Sequence, residues 1–162
     1  MHEKFLKPYD SKATEPGIYA MWEESGYFNP DNLPAELLAQ MDGKPYTVVM
    51  PPPNANGDLH AGHALGVTLQ DIFTRMKRMQ GYRALWIPGA DHAGFETQVV
   101  YEKKLEKEGR SRFGMDPKEL YAEILAFTLA NKATMQNQVR ALGASCDWSR
   151  EKFTLDSDIV KV

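Results

Sequence analysis

Two histidines three residues apart, His60 and His63, flank Gly62 in the run Pro51-Pro52-Pro53-Asn54-Ala55-Asn56-Gly57-Asp58-Leu59-His60-Ala61-Gly62-His63. Imidazoles at that spacing project to one side of a helical first turn. Two ring donors beside a helix start suit a phosphoryl or nucleotidyl transition state, where negative charge builds on non-bridging oxygens. Glycine between them removes a side chain, so a flat ring or a phosphate can approach the backbone. Two other readings stand beside this one: loop histidines that pack locally, and a pair of metal ligands. A metal needs further ligands. None sits at a recognisable spacing, although Asp91 and His92 could converge from further along the chain. The triple proline also reads as a rigid strand end.

These residues need elements to hold them. Tyr46–Met50 is a short β-branched run between Pro45 and Pro51, and reads as a buried strand. After the loop, Leu65, Leu69, Ile72, Phe73, Met76 and Met79 recur at three- and four-residue steps, which predicts an amphipathic helix over 62–80, closed by Gly81. A second strand is expected over 83–87, stopped by Pro88-Gly89; a third strand signal is weak. Helices are expected over 96–108 and 117–142, the latter capped by Asp116 with Pro117 in its first turn. Strand, loop, helix, strand is a βαβ unit with parallel strands. The expected fold is α/β, a Rossmann-like parallel sheet flanked by helices. In such a sheet, ligands sit at the carboxyl ends of the strands, where a helix start offers N–H groups and a positive dipole end to phosphate. The histidine run occupies that place.

Residues 1–45 are punctuated by Pro, Gly and Asn, and read as an extension packing on a core over 46–162. One helix is expected there, from Glu15 or Pro16 to Ser25, stopped by Gly26. The last residues, from Asp156 to Val162, read as the opening of a further helix.

Leu59-His60-Ala61-Gly62-His63 resembles the His-x-Gly-His motif of class I aminoacyl-tRNA synthetases and other nucleotidylyl transferases of that fold. Three further segments resemble the valyl branch of the synthetases: Pro51-Pro52-Pro53-Asn54, then Gly89-Ala90-Asp91-His92-Ala93-Gly94, then the run from Gly143 to Thr154 containing Asp147-Trp148-Ser149-Arg150. Ala61 and Ala90 depart from the valyl pattern, and Asn56-Gly57 leans towards the isoleucyl one. The likeness runs from about Phe5 to the end, as the first half of a class I catalytic domain. It implies ATP-dependent activation of valine to valyl-adenylate, with release of pyrophosphate. His60 and His63 would be catalytic, holding the phosphates. Asn54, Gly57 and Gly62 would join them in seating ATP, which enters with Mg²⁺. Pro51, Asn54 and Asp91 would line the amino-acid side, Asp91 pairing with the α-ammonium. From its position alone, Asp91 also reads as a cap on the next helix. The likeness also implies tRNA(Val) as a partner of the full-length enzyme.

No Lys-Met-Ser-Lys-Ser-like loop, editing domain or anticodon-binding domain is recognisable, so the chain reads as a fragment. Other readings are an isoleucyl or leucyl fragment, a small stand-alone nucleotidylyl transferase, and a non-catalytic synthetase-derived module. No resident metal is expected. Net charge is −3, which argues against a strongly basic nucleic-acid-binding module. Arg75, Lys77, Arg78 and Arg83 read as a solvated helix face. No apolar run is long enough to span a membrane. The start of the chain has no leader-like apolar stretch, and the single cysteine, Cys146, forms no internal disulfide; both favour a cytoplasmic location.

Overall fold

The computed structural model describes residues 8–41 and 43–161. The expectations for Met1 to Lys7, including the likeness that starts at Phe5, and for Val162 lie outside the described residues. Helix α1 spans Ser11–Glu24 and so begins before the expected Glu15 or Pro16. The Asp10 carboxylate accepts the Ala13 N–H at 3.2 Å and caps it. Pro16 therefore lies inside the helix, where its ring supplies no N–H to the preceding turn. Gly26, at φ 71°, ends the segment as expected. A short helix α2, Ala35–Leu38, follows.

Strand β1 is Pro45–Val49, helix α3 Ala61–Met79 and strand β2 Arg83–Ile87. Then come β3, Gly89–Ala90, helix α4, Gly94–Lys107, helix α5, Pro117–Ala141, and β4, Lys152–Phe153. The Asp116 carboxylate caps α5 by accepting from the amides of Lys118 and Glu119, at 2.8 and 3.3 Å. After β4 the described residues end in turns. The Ile159 and Val160 amides both reach back to the Asp156 carbonyl, at 2.9 and 3.0 Å.

The two strands of the βαβ unit pair in parallel, Val48 opposite Trp86 and Val49 opposite Ile87. A second parallel pair, β3 with β4, sets Ala90 opposite Phe153. Strands of two residues carry no alternation, which is why this pair was barely readable. Trp86 is wholly buried among Met50, Val67, Val139, Ala144 and Cys146. A smaller cluster joins Ala90, Met135 and Phe153. Leu59, the residue before His60, packs against both clusters and anchors the loop between them. Burial pushes the Cys146 thiol up to about 12, so it serves as packing and not as a nucleophile.

The apolar stripe of α3 is the exposed one: Leu65, Leu69, Ile72 and Phe73 are each about half exposed or more. The opposite face carries the contacts, with Val67 and Thr74 buried. Its polar residues are paired. The Asp71 carboxylate accepts the Ser145 amide at 3.0 Å, and Arg78 donates to the Ser145 carbonyl at 2.8 Å. Arg75 donates to the Gly143 carbonyl at 2.7 Å, and Arg83 pairs with Asp31. The expected solvated basic face is therefore corrected at Arg75 and Arg78, while Arg83, on β2, stays about half exposed. Arg75 and Arg78 fasten α3 to the 143–145 turn, and burial lowers the Arg78 guanidinium from its ordinary range.

Candidate active site

Where β1 ends, the chain continues beside β2. The Met50 amide donates to the Ile87 carbonyl at 2.9 Å. Further on, Asn54 and Asp91 form a parallel bridge: the Asp91 amide donates to Pro53 and the Ala55 amide to Asp91, at 2.9 and 2.7 Å. Prolines 51–53 have no N–H to give, and among the described residues the backbone hydrogen bonds of this extension lie at its two ends. A Cβ on Gly89 would lie 3.3 Å from Pro52 and 3.4 Å from the Lys152 carbonyl. Gly89 thus lets the proline segment and β4 approach from opposite sides.

The loop then meets α5, where Gln138 holds it at two points. Its amide oxygen accepts the Leu59 N–H at 2.8 Å, and its amide nitrogen donates to the Asp58 carboxylate at 2.9 Å. His60 follows as the N-cap of α3. Its Nδ1 accepts the Gly62 N–H at 3.1 Å, while Nδ1 of His63 accepts the His60 N–H at 3.2 Å. This is a reciprocal capping arrangement built from two imidazoles. The rings lie 4.0 Å apart between centroids, tilted by 35°. Because both Nδ1 atoms accept, the neutral rings carry their protons on Nε2. Two Nε2–H donors therefore flank the positive end of a 19-residue helix. Burial, and next the neighbouring His60, lower the His63 pKa from the ordinary histidine range.

Gly62 has a local role that spacing alone did not reveal. A Cβ there would lie 2.9 Å from Cε1 of His60. The missing side chain makes room first for the His60 ring. At Gly57 a Cβ would meet nothing within 4 Å, so the turn there is open.

Asp91 sits beside this loop with its side chain 36% exposed. Its Oδ1 accepts from the Ala93 amide at 3.0 Å and from the Thr154 hydroxyl at 3.1 Å. Asp91 is not the N-cap of α4; Ala93 holds that position in a left-handed conformation, φ 52°. One carboxylate oxygen is thus committed to the turn, and Oδ2 has no hydrogen-bond partner among the described residues. Asn54 donates from its amide to Glu96 of α4 at 2.6 Å. Pro51 is exposed at the outer edge of the same segment. Glu96, Gln138 and Thr154 were missed by sequence reasoning. They converge on the loop from distant segments, and only Thr154 lies in a stretch that carried a family likeness. Among the described residues no group of three or more His, Cys, Asp or Glu side chains is placed to hold a metal.

The 143–150 segment, by contrast, is scaffold. Asp147, 3% exposed, donates its amide to Trp86 at 2.8 Å and accepts from the Ser149 hydroxyl at 2.6 Å. Its Oδ2 lies 3.3 Å from Nε of Arg150 but is not aligned for a hydrogen bond. Trp148 donates from its indole to the Tyr19 hydroxyl, which donates to the Ala144 carbonyl, both at 2.8 Å.

The family described as tRNA synthetases class I (I, L, M and V) matches residues 17–162. The chain belongs to the class I tRNA synthetases. Valine--tRNA ligase of Caulobacter vibrioides is 45% identical over 154 residues, 94% of this chain and 16% of that protein. The chloroplastic/mitochondrial valine--tRNA ligase 2 of Arabidopsis thaliana is 44% identical, across 96% of this chain and 16% of the relative. The Geobacter sulfurreducens valine--tRNA ligase is 45% identical, covering 98% and 17%. The class I synthetase chain described here thus spans about one sixth of the length of the relatives it matches. Its fold is shared with a chain in the crystal structure of the ternary complex of Agrobacterium radiobacter K84 agnB2 LeuRS-tRNA-LeuAMS. That match has a TM-score of 0.69 at 24% identity, over 94% of this chain and 17% of that one. No helix among the described residues is long and apolar enough to cross a membrane.

Proposed function

We propose that this chain supplies the phosphate seat and the ammonium site for activation of valine by ATP. The observation that supports it best is the stacked histidine pair at the start of α3, with both Nδ1 atoms occupied by backbone amides. That leaves two Nε2–H donors for the phosphates. In the reaction, a carboxylate oxygen of valine attacks the α-phosphorus. The bond from that phosphorus to the bridging oxygen breaks, and pyrophosphate leaves with the electron pair. The negative charge that grows on the non-bridging oxygens is what His60, His63 and the helix start stabilise. Asp91 takes the ammonium group through Oδ2. Asn54, steadied by Glu96, and Pro51 border the amino acid; Gly57 and Gly62 border the nucleotide. ATP brings Mg²⁺ as its own counter-ion. In the longer relatives' context the adenylate would pass to tRNA(Val), and the same reading places the protein in the cytoplasm with the translation machinery.

Amino-acid-dependent exchange of pyrophosphate into ATP tests this directly. Valine should support the fastest exchange. Threonine, nearly isosteric, should trail it by no more than about a hundredfold, since an apolar pocket rejects an added hydroxyl weakly. Faster exchange with isoleucine or leucine would overturn the choice of valine. ATP binding with no exchange for any amino acid would make the chain a nucleotide-binding module.

A further inference from the structure

Thr154 follows β4 and lies beside Asp91 because Phe153 is opposite Ala90 and the Thr154 amide donates to the Ala90 carbonyl at 3.2 Å. Its hydroxyl oxygen has three neighbours. The His92 amide donates to it at 2.9 Å, Oδ1 of Asp91 lies 3.1 Å away, and Nδ1 of His92 lies 2.6 Å away. A hydroxyl has one proton and two acceptor positions. The His92 amide takes one acceptor position. Ionised Asp91 can only accept, so the hydroxyl proton goes to Oδ1. The remaining acceptor position faces Nδ1 of His92, which must then carry a proton. All three hydroxyl valences are used, and the neutral His92 ring is left with a bare Nε2.

We propose that Thr154 is a positioning residue for amino-acid recognition. It ties Oδ1 of Asp91 to the fold, which turns Oδ2 outward for the ammonium group, and it sets His92 in the Nδ1–H tautomer. The Ala93 amide, 3.0 Å from the same Oδ1, completes the clamp. The His92 carbonyl accepts from the Thr97 hydroxyl at 2.6 Å, so the His92 backbone is fixed from α4 as well. His92 also lines a cavity between α4 and α5 of about 280 Å³, together with Gln98, Tyr121 and Ile124 among others. This inference rests on the reading of Asp91 as the ammonium site, but its tautomer half does not.

The experiment uses the parent chain with Thr154→Val, Thr154→Ser and Asp91→Asn. Valine and ATP affinities are measured by calorimetry, and the His92 ring nitrogens are followed by NMR in mildly alkaline solution, where imidazoles are neutral. Valine matches threonine in shape but removes the hydroxyl. Thr154→Val should weaken valine binding about five- to tenfold while ATP affinity holds. It should also release His92 from the Nδ1–H form. Thr154→Ser should restore both. If Asp91→Asn loses valine affinity but Thr154→Val does not, the positioning role is overturned. If Asp91→Asn binds valine as the parent does, the ammonium reading falls instead. The ring nitrogens then decide alone: an unchanged pattern in Thr154→Val overturns the role of Thr154.

Discussion

His60 and His63 hold each other in place, so their protonation is tied to the start of α3. A proton on either Nδ1 would remove the lone pair that receives a backbone amide. Burial and the proximity of His60 already hold the His63 pKa below the ordinary range. The unfolded chain, with a histidine pKa of about 6.5, therefore takes up this proton first as the pH falls. Its contribution to stability is complete above that value and is lost as the pH drops through the lower folded pKa. NMR titration of the ATP-free chain should give His63 a midpoint below that of free histidine, and ATP should raise it, because phosphate favours the imidazolium. A midpoint at or above the ordinary value without ATP would contradict the buried, paired geometry. Gly62→Ala tests the same pair sterically. The new Cβ would lie 2.9 Å from the His60 ring and force it to turn. Loss of the cap costs about 0.5–2 kcal/mol, which the better helix propensity of alanine, about 1 kcal/mol, largely offsets. Melting should thus shift little, while ATP affinity falls on the order of tenfold through the displaced donor. Unchanged ATP affinity would detach Gly62 from the site.

At the scale of elements, α3 separates what periodicity tells from what it does not. Its extent and its end at Gly81 were legible, because a 3.6-residue repeat and a left-handed glycine are local signals. Which side meets the core was not. The apolar stripe through Leu69 and Ile72 is exposed, whereas Val67 packs with Trp86 and the polar Asp71 and Arg78 grip Ser145. A repeat defines a face; the neighbours that cover it come from the rest of the fold. Ile72→Gln, at a position 54% exposed, should therefore change stability by no more than about 0.5 kcal/mol. Val67→Ala, at 4% exposure, should cost about 1–3 kcal/mol through the cavity it leaves. Urea unfolding of both variants checks this, and a larger cost at Ile72 than at Val67 would reverse the assigned faces. The β3 and β4 pair was illegible for a different reason: two residues are too short for any pattern, and their pairing is set by Gly89 admitting Lys152.

Across the whole molecule, the site gathers residues from four segments. The histidine run and Asp91 could be read from motif and spacing. Glu96, Thr154 and Gln138 could not, since they reach their partners across sequence separations of 42, 62 and 80 residues. The chain spans about one sixth of the valine--tRNA ligases it resembles, yet both Nδ1 atoms of its histidine pair find their backbone donors within these residues. The central claim is that this pair is a phosphate seat. Calorimetry of Mg²⁺-ATP and of adenosine against the parent and a His60→Asn, His63→Ala double variant tests it most directly, with asparagine chosen because it also caps helices well. The account predicts an unchanged fold by circular dichroism, adenosine bound as before, and ATP affinity lower by about a hundredfold. A folded double variant that binds ATP as tightly as the parent would contradict it.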